Sequence, residues 1–169
     1  MTSQDQMDSG ISSRAFFLAD FAVVESGKAY VSGGFWDRIA VPEFPSSAFF
    51  CVVAVVHVPW SAYHQVHNFP ISVEDAGGTE LAPGFDGQFQ VGSAPHLNVG
   101  DPTIMPITGS IPGMTFEAPG DFSFILRIND NEIDRWPLRV LQVDDAEDDQ
   151  PPSVPIEPAA ASLPDVLPQ

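Results

Sequence analysis

Basic residues and cysteine are the scarcest chemical groups in this chain of 169 residues. Lysine and arginine together number 6, against 23 aspartates and glutamates, which gives a formal net charge of −17. A surface of this sign repels phosphate backbones and anionic lipid headgroups, so we expect neither nucleic acid nor a membrane as a partner. A basic protein or a cation is a more favourable partner for such a surface.

The one cysteine, Cys51, cannot form a disulfide within the chain and lies in an apolar run, where a small buried thiol is usual. A reducing compartment fits this. The first residues are polar and acidic, and they lack the basic and apolar regions of a secretory signal. The alternative, a late signal starting at Arg14, is interrupted by Asp20. We therefore expect a cytoplasmic protein with no membrane span.

Stretches long enough for an ordinary α-helix are also missing, because eleven prolines recur between residues 42 and 137. Proline removes a backbone N–H donor and clashes with the preceding helical turn. Strands separated by proline and glycine turns are the remaining option.

The most informative stretch that is present is residues 48–58, AFFCVVAVVHV, where all residues but His57 are apolar. At about 3.3 Å per residue it predicts a long central β-strand, and as a helix it is too short to cross a bilayer. Both of its sides are apolar, whereas a two-layer sandwich needs only one. The second side must be covered by loops of the chain, such as 79–84 or 104–114, or by a second subunit.

Alternation of apolar and polar residues predicts further strands, as in Phe122, Phe124, Leu126 and Ile128. Hairpin turns are predicted at Ser26-Gly27 and at residues 130–131. Pro137 predicts an edge strand or a bulge. The expected strands are residues 16–24, 28–35, 48–58, 68–75, 85–91, 103–108, 121–129 and 133–143. We predict an all-β fold, an immunoglobulin-like antiparallel β-sandwich of about eight strands, with jelly-roll and C2-like orders as alternatives.

The composition divides the chain into three parts. Residues 1–13 are predicted to be a flexible N-terminal arm and residues 14–143 the β-sandwich domain. Residues 144–169 hold seven acids, six prolines and no base or aromatic residue. Such a segment cannot offset the entropy of ordering, so it is predicted to be a disordered tail.

Histidines near the central strand suggest a candidate metal site. His64 and His67 are three residues apart, and with His57 and Asp37 they could supply imidazole and oxygen ligands to a zinc-like ion. Histidines hydrogen-bonded to the backbone are the more common arrangement in such loops. We therefore predict no metal site and no cofactor.

Two carboxylates stand in apolar surroundings. By alternation Asp20 shares a side with Phe16 and Leu18, so it is either an acid with a raised pKa or a carboxylate that accepts backbone or arginine hydrogen bonds. Asp37 invites the same two interpretations. No Gly-x-Ser-x-Gly elbow and no phosphate-binding glycine loop is present. We predict no catalytic residue and expect a protein that is not an enzyme.

Aromatic residues are the best candidates for a contact surface, because exposed aromatics concentrate binding energy. The leading hypothesis is a non-enzymatic β-sandwich acting as a protein-interaction or accessory module, bound to another protein or to a second copy. A core role for Trp36 is an equal alternative. The predicted binding residues are Trp36, Trp60, Tyr63, His64 and His67.

Two other functions stay open. One is a structural component of a phage or bacterial assembly. The other is a metal- or small-ligand-binding enzyme with a site around Asp20, Asp37, His57, His64 and His67.

Several short strings carry a resemblance to known sequences. They are residues 17–22 (FLADFA), residues 33–37 (GGFWD), residues 58–60 (VPW), residues 119–122 (PGDF) and residues 138–140 (LRV). Together they resemble a family of uncharacterised proteins of actinobacteria and their phages. The resemblance covers nearly the whole core and omits the acidic tail. It implies a compact bacterial β-domain and gives no residue a role.

Overall fold

The computed structural model describes residues 10–93 and 97–143. The predicted acidic tail and most of the predicted N-terminal arm lie outside the described residues. The fold begins earlier than expected, because Ile11 is buried and the first strand starts at Ser12. Residues 10–13 therefore belong to the sandwich and not to an arm.

The described part of the chain is almost entirely β-structure, which confirms the predicted all-β class. It contains eleven strands, where the alternation predicted about eight, and a single 3₁₀ turn at Trp60–Ala62. No helix in this part has the length and apolar character needed to cross a membrane. The strands are β1 (Ser12–Glu25), β2 (Lys28–Trp36), β3 (Arg38–Val41), β4 (Ser46–Val58), β5 (Val66–Asn68), β6 (Ile71–Asp75), β7 (Glu80–Phe85), β8 (Gln88–Gln90), β9 (Thr103–Phe116), β10 (Gly120–Ile128) and β11 (Asn131–Gln142).

Two sheets form the sandwich. Sheet A has the order β2-β1-β4-β9, and sheet B has the order β3-β11-β10-β6-β7. Strands β5 and β8 form a separate two-stranded sheet. The β11–β3 pair is parallel, which corrects the fully antiparallel expectation. After Asp37 the chain passes from the edge of sheet A to the edge of sheet B, so β3 joins β11 at a free edge. The immunoglobulin-like order stays a prediction.

The main core lies between the two sheets and buries alternate residues of both. Sheet A supplies Leu18, Val52 and Val56, and sheet B supplies Phe124 and Leu126, each at most 1% exposed. At about 25 cal/mol per Å² of apolar surface removed from water, this layer provides most of the drive to fold. The predicted apolar side of residues 122–128 is therefore confirmed as a core face.

A second buried cluster explains how the other side of the central strand β4 is covered. Cys51 and Val53 are buried there together with Phe17, Ala19 and Ala22 of β1. The loops expected to cover it are absent, because residues 80–85 form β7 and β9 pairs beside β4. Phe17 and Ala19 lie beside these residues in the β1–β4 ladder, and the cover comes from the part of β1 beyond that ladder, where Ala22 joins the cluster. No second subunit is needed over these residues.

The β1–β2 hairpin crosses over β4. The ladder between β1 and β4 ends at the Ala19–Cys51 pair, beyond which β1 pairs with β2 alone. Both β1 and β2 contact β9, although two strands separate β2 from β9 in the sheet. In a flat sheet that separation is about 14 Å. The hairpin therefore folds across the outer face of sheet A.

Turn and proline positions follow local chemistry. Ser26 and Gly27 both have positive φ, which confirms the first predicted hairpin turn as type I′. The second turn was predicted one residue late, because the positive φ values fall at Asn129 and Asp130. Pro137 lies in β11 before β3 begins to pair with it at Arg139, so its missing N–H falls on a free edge as predicted.

Candidate functional site

Asp20 does not lie on the apolar face that alternation predicted. A β-bulge shifts the β1–β2 register between Leu18 and Ala19, and Asp20 is exposed. Its carboxylate covers Gly33 on the neighbouring strand, where an added Cβ would overlap it. Gly33 also has a φ of +60°, a conformation that favours glycine. The expectation that Asp20 lies on the apolar side of β1 is therefore wrong.

Asp37 is the residue at which the chain changes sheets, and it forms an ion pair. Its Oδ1 accepts a hydrogen bond from Arg38 Nε at 3.0 Å. This hydrogen bond holds the pKa of the Asp37 carboxyl below its usual value. A carboxylate whose charged form is stabilised in this way is a poor general acid at neutral pH, so the raised-pKa interpretation of Asp37 is wrong.

The three histidines of the candidate metal site have separate environments. His57 lies in β4 between Ser12 and Ile104 of the neighbouring strands. His64 is exposed, with φ +62°, and its Nε2 lies 3.1 Å from the Ser93 hydroxyl. Within residues 10–93 and 97–143 no group of three His, Cys, Asp or Glu side chains is placed to hold a metal ion.

His67 is a structural histidine. It is 1% exposed, and both ring nitrogens have partners. The Asn129 amide donates to Nδ1 at 2.9 Å, and Nε2 donates to the Ala62 carbonyl at 2.8 Å. Asn129 Oδ1 accepts from the Asn68 N–H, which fixes the orientation of the amide and hence the Nε2–H tautomer. The structure thus places this predicted binding residue in the interior.

Trp60 and Tyr63 form one aromatic pair, with ring centroids 4.8 Å apart. Trp60 is half-buried and Tyr63 is 5% exposed, so most of this pair belongs to the core. The Tyr63 hydroxyl is buried and has no hydrogen-bond partner among the described residues. Little of the predicted Trp60–Tyr63 surface is thus available to a partner.

Trp36 fills a structural role at the edge of both sheets. Its ring meets Phe50 edge-on at 5.8 Å, and its Nε1 donates to the Gly33 carbonyl at 3.0 Å. The indole of Trp136 in β11 donates in turn to the Trp36 carbonyl at 3.0 Å. Trp36 therefore joins the sheets, in agreement with the alternative of a core role.

Phe35, which the sequence did not single out as a site residue, is the most unusual side chain on the surface. It is 67% exposed, and its φ is +68°, in the left-handed region that bulky residues rarely adopt. Its ring stacks on Phe17 with centroids 3.8 Å apart and meets Trp136 edge-on at 6.3 Å. Two buried or half-buried rings thus hold an exposed one in place.

The rest of the β1–β2 hairpin is also exposed and apolar. Every residue from Lys28 to Phe35 is exposed. Val23 pairs with Tyr30 across the two strands, so these side chains share one face with Phe21, two residues away. We call Phe21, Val23 and Tyr30 the ribbon face; they are 59%, 41% and 53% exposed. With Val31 and Phe35, the hairpin holds five of the eleven large apolar side chains exposed in the described residues.

The outer face of sheet B is polar by contrast. Arg127 and Arg135 both bind Glu74, at 3.2 Å and 3.3 Å, and Arg135 also binds Glu132 at 3.0 Å. The Arg135–Glu132 hydrogen bond lowers the pKa of Glu132 and raises that of Arg135. The guanidinium groups of this face are neutralised by carboxylates. The face therefore attracts an anion less strongly than its arginine content suggests.

Comparison with known proteins supplies a family. A model described as a family of unknown function, DUF6941, matches residues 14–141. The chain belongs to this family. No curated protein matches it.

The DUF6941 match covers β1 from Arg14 onward, all of β2, and Trp136. The exposed ring of Phe35, its supports and the ribbon face therefore all lie in the part of the chain that the DUF6941 model describes. Strand alternation could not find this site, because positive φ at a phenylalanine and a hairpin folded across a sheet are set by three-dimensional context.

Proposed function

We propose that this protein is a non-enzymatic interaction module that binds another protein through the β1–β2 hairpin. The observation that carries the proposal is Phe35, an aromatic ring 67% exposed at a φ of +68°. Left-handed backbone at a bulky residue is strained, and such strain is concentrated at functional sites. The ring leaves water when a partner covers it.

The surroundings of Phe35 support a protein partner. Contiguous exposed apolar surface marks interaction sites, and aromatic residues contribute most of the binding energy in such patches. The ribbon face adds Tyr30 beside Phe21 and Val23. Stacking on Phe17 immobilises Phe35 before binding, which lowers the entropy lost on association.

The alternative of a catalytic or metal site finds no support in the arrangement of its residues. Asp20 covers Gly33, Asp37 pairs with Arg38, and His67 is committed to Asn129 and a carbonyl. A reaction needs its acid, base and nucleophile within hydrogen-bond reach of one substrate position. Each of these groups is instead engaged at a different place.

A quantitative pull-down from native cells tests the proposal. The full chain and a Tyr30→Ser/Phe35→Ser variant are compared by mass spectrometry, with Phe49→Ser/Val99→Ser as the control. Phe49 and Val99 are 75% and 87% exposed and lie outside the hairpin. We expect a partner that the hairpin variant loses at least about tenfold and the control retains. Equal recovery with both variants would place binding elsewhere.

A structural role in a bacterial or phage assembly is the second candidate. It is favoured by β2, which lies at the edge of sheet A. Edge strands offer unpaired backbone groups to a neighbouring chain. For either role we propose the cytoplasm as the location, since the one cysteine is a buried thiol.

A further inference from the structure

We infer that two copies of this chain associate through β2, by antiparallel pairing that continues sheet A from one copy into the other. This inference rests on the proposed function and names the partner as a second copy. Among the described strands, β2 pairs with β1 alone, so one of its sides presents N–H and C=O groups that no other described strand pairs.

The type I′ turn determines which backbone groups face outward. In a hairpin with a two-residue loop, the residues that flank the loop exchange hydrogen bonds, and so does every second pair from there. Here these are Glu25 with Lys28, then Val23 with Tyr30. The intervening residues of β2, which are Ala29, Val31 and Gly33, therefore point their N–H and C=O groups away from β1.

These outward groups are symmetric about Val31. A twofold axis at Val31 pairs it with its own copy and pairs Ala29 of one chain with Gly33 of the other. All outward donors of residues 29–33 then find acceptors, as an isologous interface requires. The Gly33 carbonyl, which accepts from Trp36 Nε1 within its own chain, uses its second lone pair for Ala29 N–H of the other copy. In this register Tyr30 faces Ser32 of the second copy, and the two Tyr30 rings become diagonal neighbours. The ribbon faces of the two copies then join into one apolar surface.

Charge also favours a second copy at this edge. The chain carries a net charge of −17, so two copies repel over most of their surface. From residue 21 to residue 35, however, there is one acid, Glu25, and one base, Lys28. Antiparallel pairing also brings Lys28 of one copy to the end of β2 where the other copy holds its Asp20 carboxylate over Gly33. The hairpin is therefore the part of the surface where association meets least repulsion.

The remaining segments of the same chain are poor occupants of the β2 edge. Residues 144–169 hold six prolines and seven acids, and proline cannot donate to a ladder. Residues 1–9 contain one β-branched residue, Thr2, and no aromatic. Such compositions are depleted in strands. A copy of β2 itself, with Tyr30, Val31 and Phe35, is the better strand.

Sedimentation velocity and hydrogen exchange of the full chain test the inference. Mass should rise from monomer to dimer with concentration, and the Val31 amide should become protected in the same range. Val31→Pro removes an outward N–H that the hairpin does not use, so the dissociation constant should rise at least about tenfold. Val31→Thr keeps both the N–H and the β-branched shape, and it should dimerise like the wild type. Circular dichroism melting checks that both variants fold.

The outcomes separate this inference from the proposed function. A chain that stays monomeric at millimolar concentration overturns the inference, and so does a dimer whose Val31 amide exchanges freely or that tolerates Val31→Pro. Either result leaves intact a heterologous partner that is lost with Tyr30→Ser/Phe35→Ser. If Val31→Pro fails to fold, the protection of the wild-type Val31 amide decides alone.

Discussion

The ring of Phe35 lies flat on the ring of Phe17, with centroids 3.8 Å apart and planes inclined by 16°. Phe17 is buried on the outer face of sheet A, whereas Phe35 is exposed at the sheet edge. The stack therefore connects the second buried cluster to the proposed binding surface. Packing within the fold itself holds the Phe35 ring at the surface.

Phe35→Gly should separate stability from binding. Glycine relieves about 1–2 kcal/mol of left-handed strain, while losing the aromatic contacts costs about 0.5–1.5 kcal/mol. We expect the free energy of unfolding in urea to change by less than about 1 kcal/mol, while the partner recovered in the pull-down is lost. A loss of stability of about 3 kcal/mol or more would instead make Phe35 a core residue.

Gly33→Ala should be destabilising for two separable reasons. Its φ of +60° disfavours a side chain, and the new methyl group overlaps the Asp20 carboxylate. We expect a loss of about 2–3 kcal/mol, reduced to about 1–2 kcal/mol when Gly33→Ala is made in an Asp20→Ala chain. A double-mutant cycle by urea unfolding measures the difference. Equal losses of stability in both backgrounds would show that the Asp20 side chain moves away from the new methyl group at no cost in free energy.

Asn129→Gly should show that the buried His67 ring needs a hydrogen-bond donor at Nδ1. Glycine fits the φ of +48° at this position, so the substitution removes mainly the amide, which donates to His67 Nδ1 and accepts from the Asn68 N–H. An unpaired buried acceptor costs about 1–3 kcal/mol. Asp130→Gly is the matched control, since Asp130 is exposed in the same turn with φ +69°. Thermal melting should show a clear loss for Asn129→Gly and none for the control.

The Glu132–Arg135 pair should contribute to stability in a pH-dependent way. Its hydrogen bonds lower the pKa of Glu132 from 4.5, so the folded chain binds this proton more weakly than the unfolded chain does. The contribution is therefore present above pH 4.5 and is lost as pH falls through the lowered pKa. Because the pair is exposed to solvent, it is worth about 0.2–1 kcal/mol.

Glu132→Gln tests this pair by urea unfolding at two pH values. The variant should be less stable than the wild type at pH ~7, and the difference in stability should be smaller at pH ~3. An equal difference at both values would contradict the assignment.

Much of the fold could be predicted from local patterns, and the site could not. A sequence predicts features that depend only on residues adjacent in the chain. Three such features are the Val-rich run at 48–58, the Ser26-Gly27 turn and the alternation at 122–128. The sequence does not predict strand β7 or the far half of β9, because Pro83 and Pro112 interrupt the strand pattern there. The aromatic residues chosen as contacts were mostly structural, since a sequence does not show which rings a sheet covers.

Site-specific photo-crosslinking in native cells tests the central claim most directly. A benzophenone side chain at Tyr30 samples the ribbon face, and the same group at Val99, 87% exposed and outside the hairpin, is the control. The account predicts a discrete protein adduct at position 30, lost when Phe35→Ser is added, and none at position 99. The same adducts at both positions, or none at position 30, would contradict a binding surface on the β1–β2 hairpin.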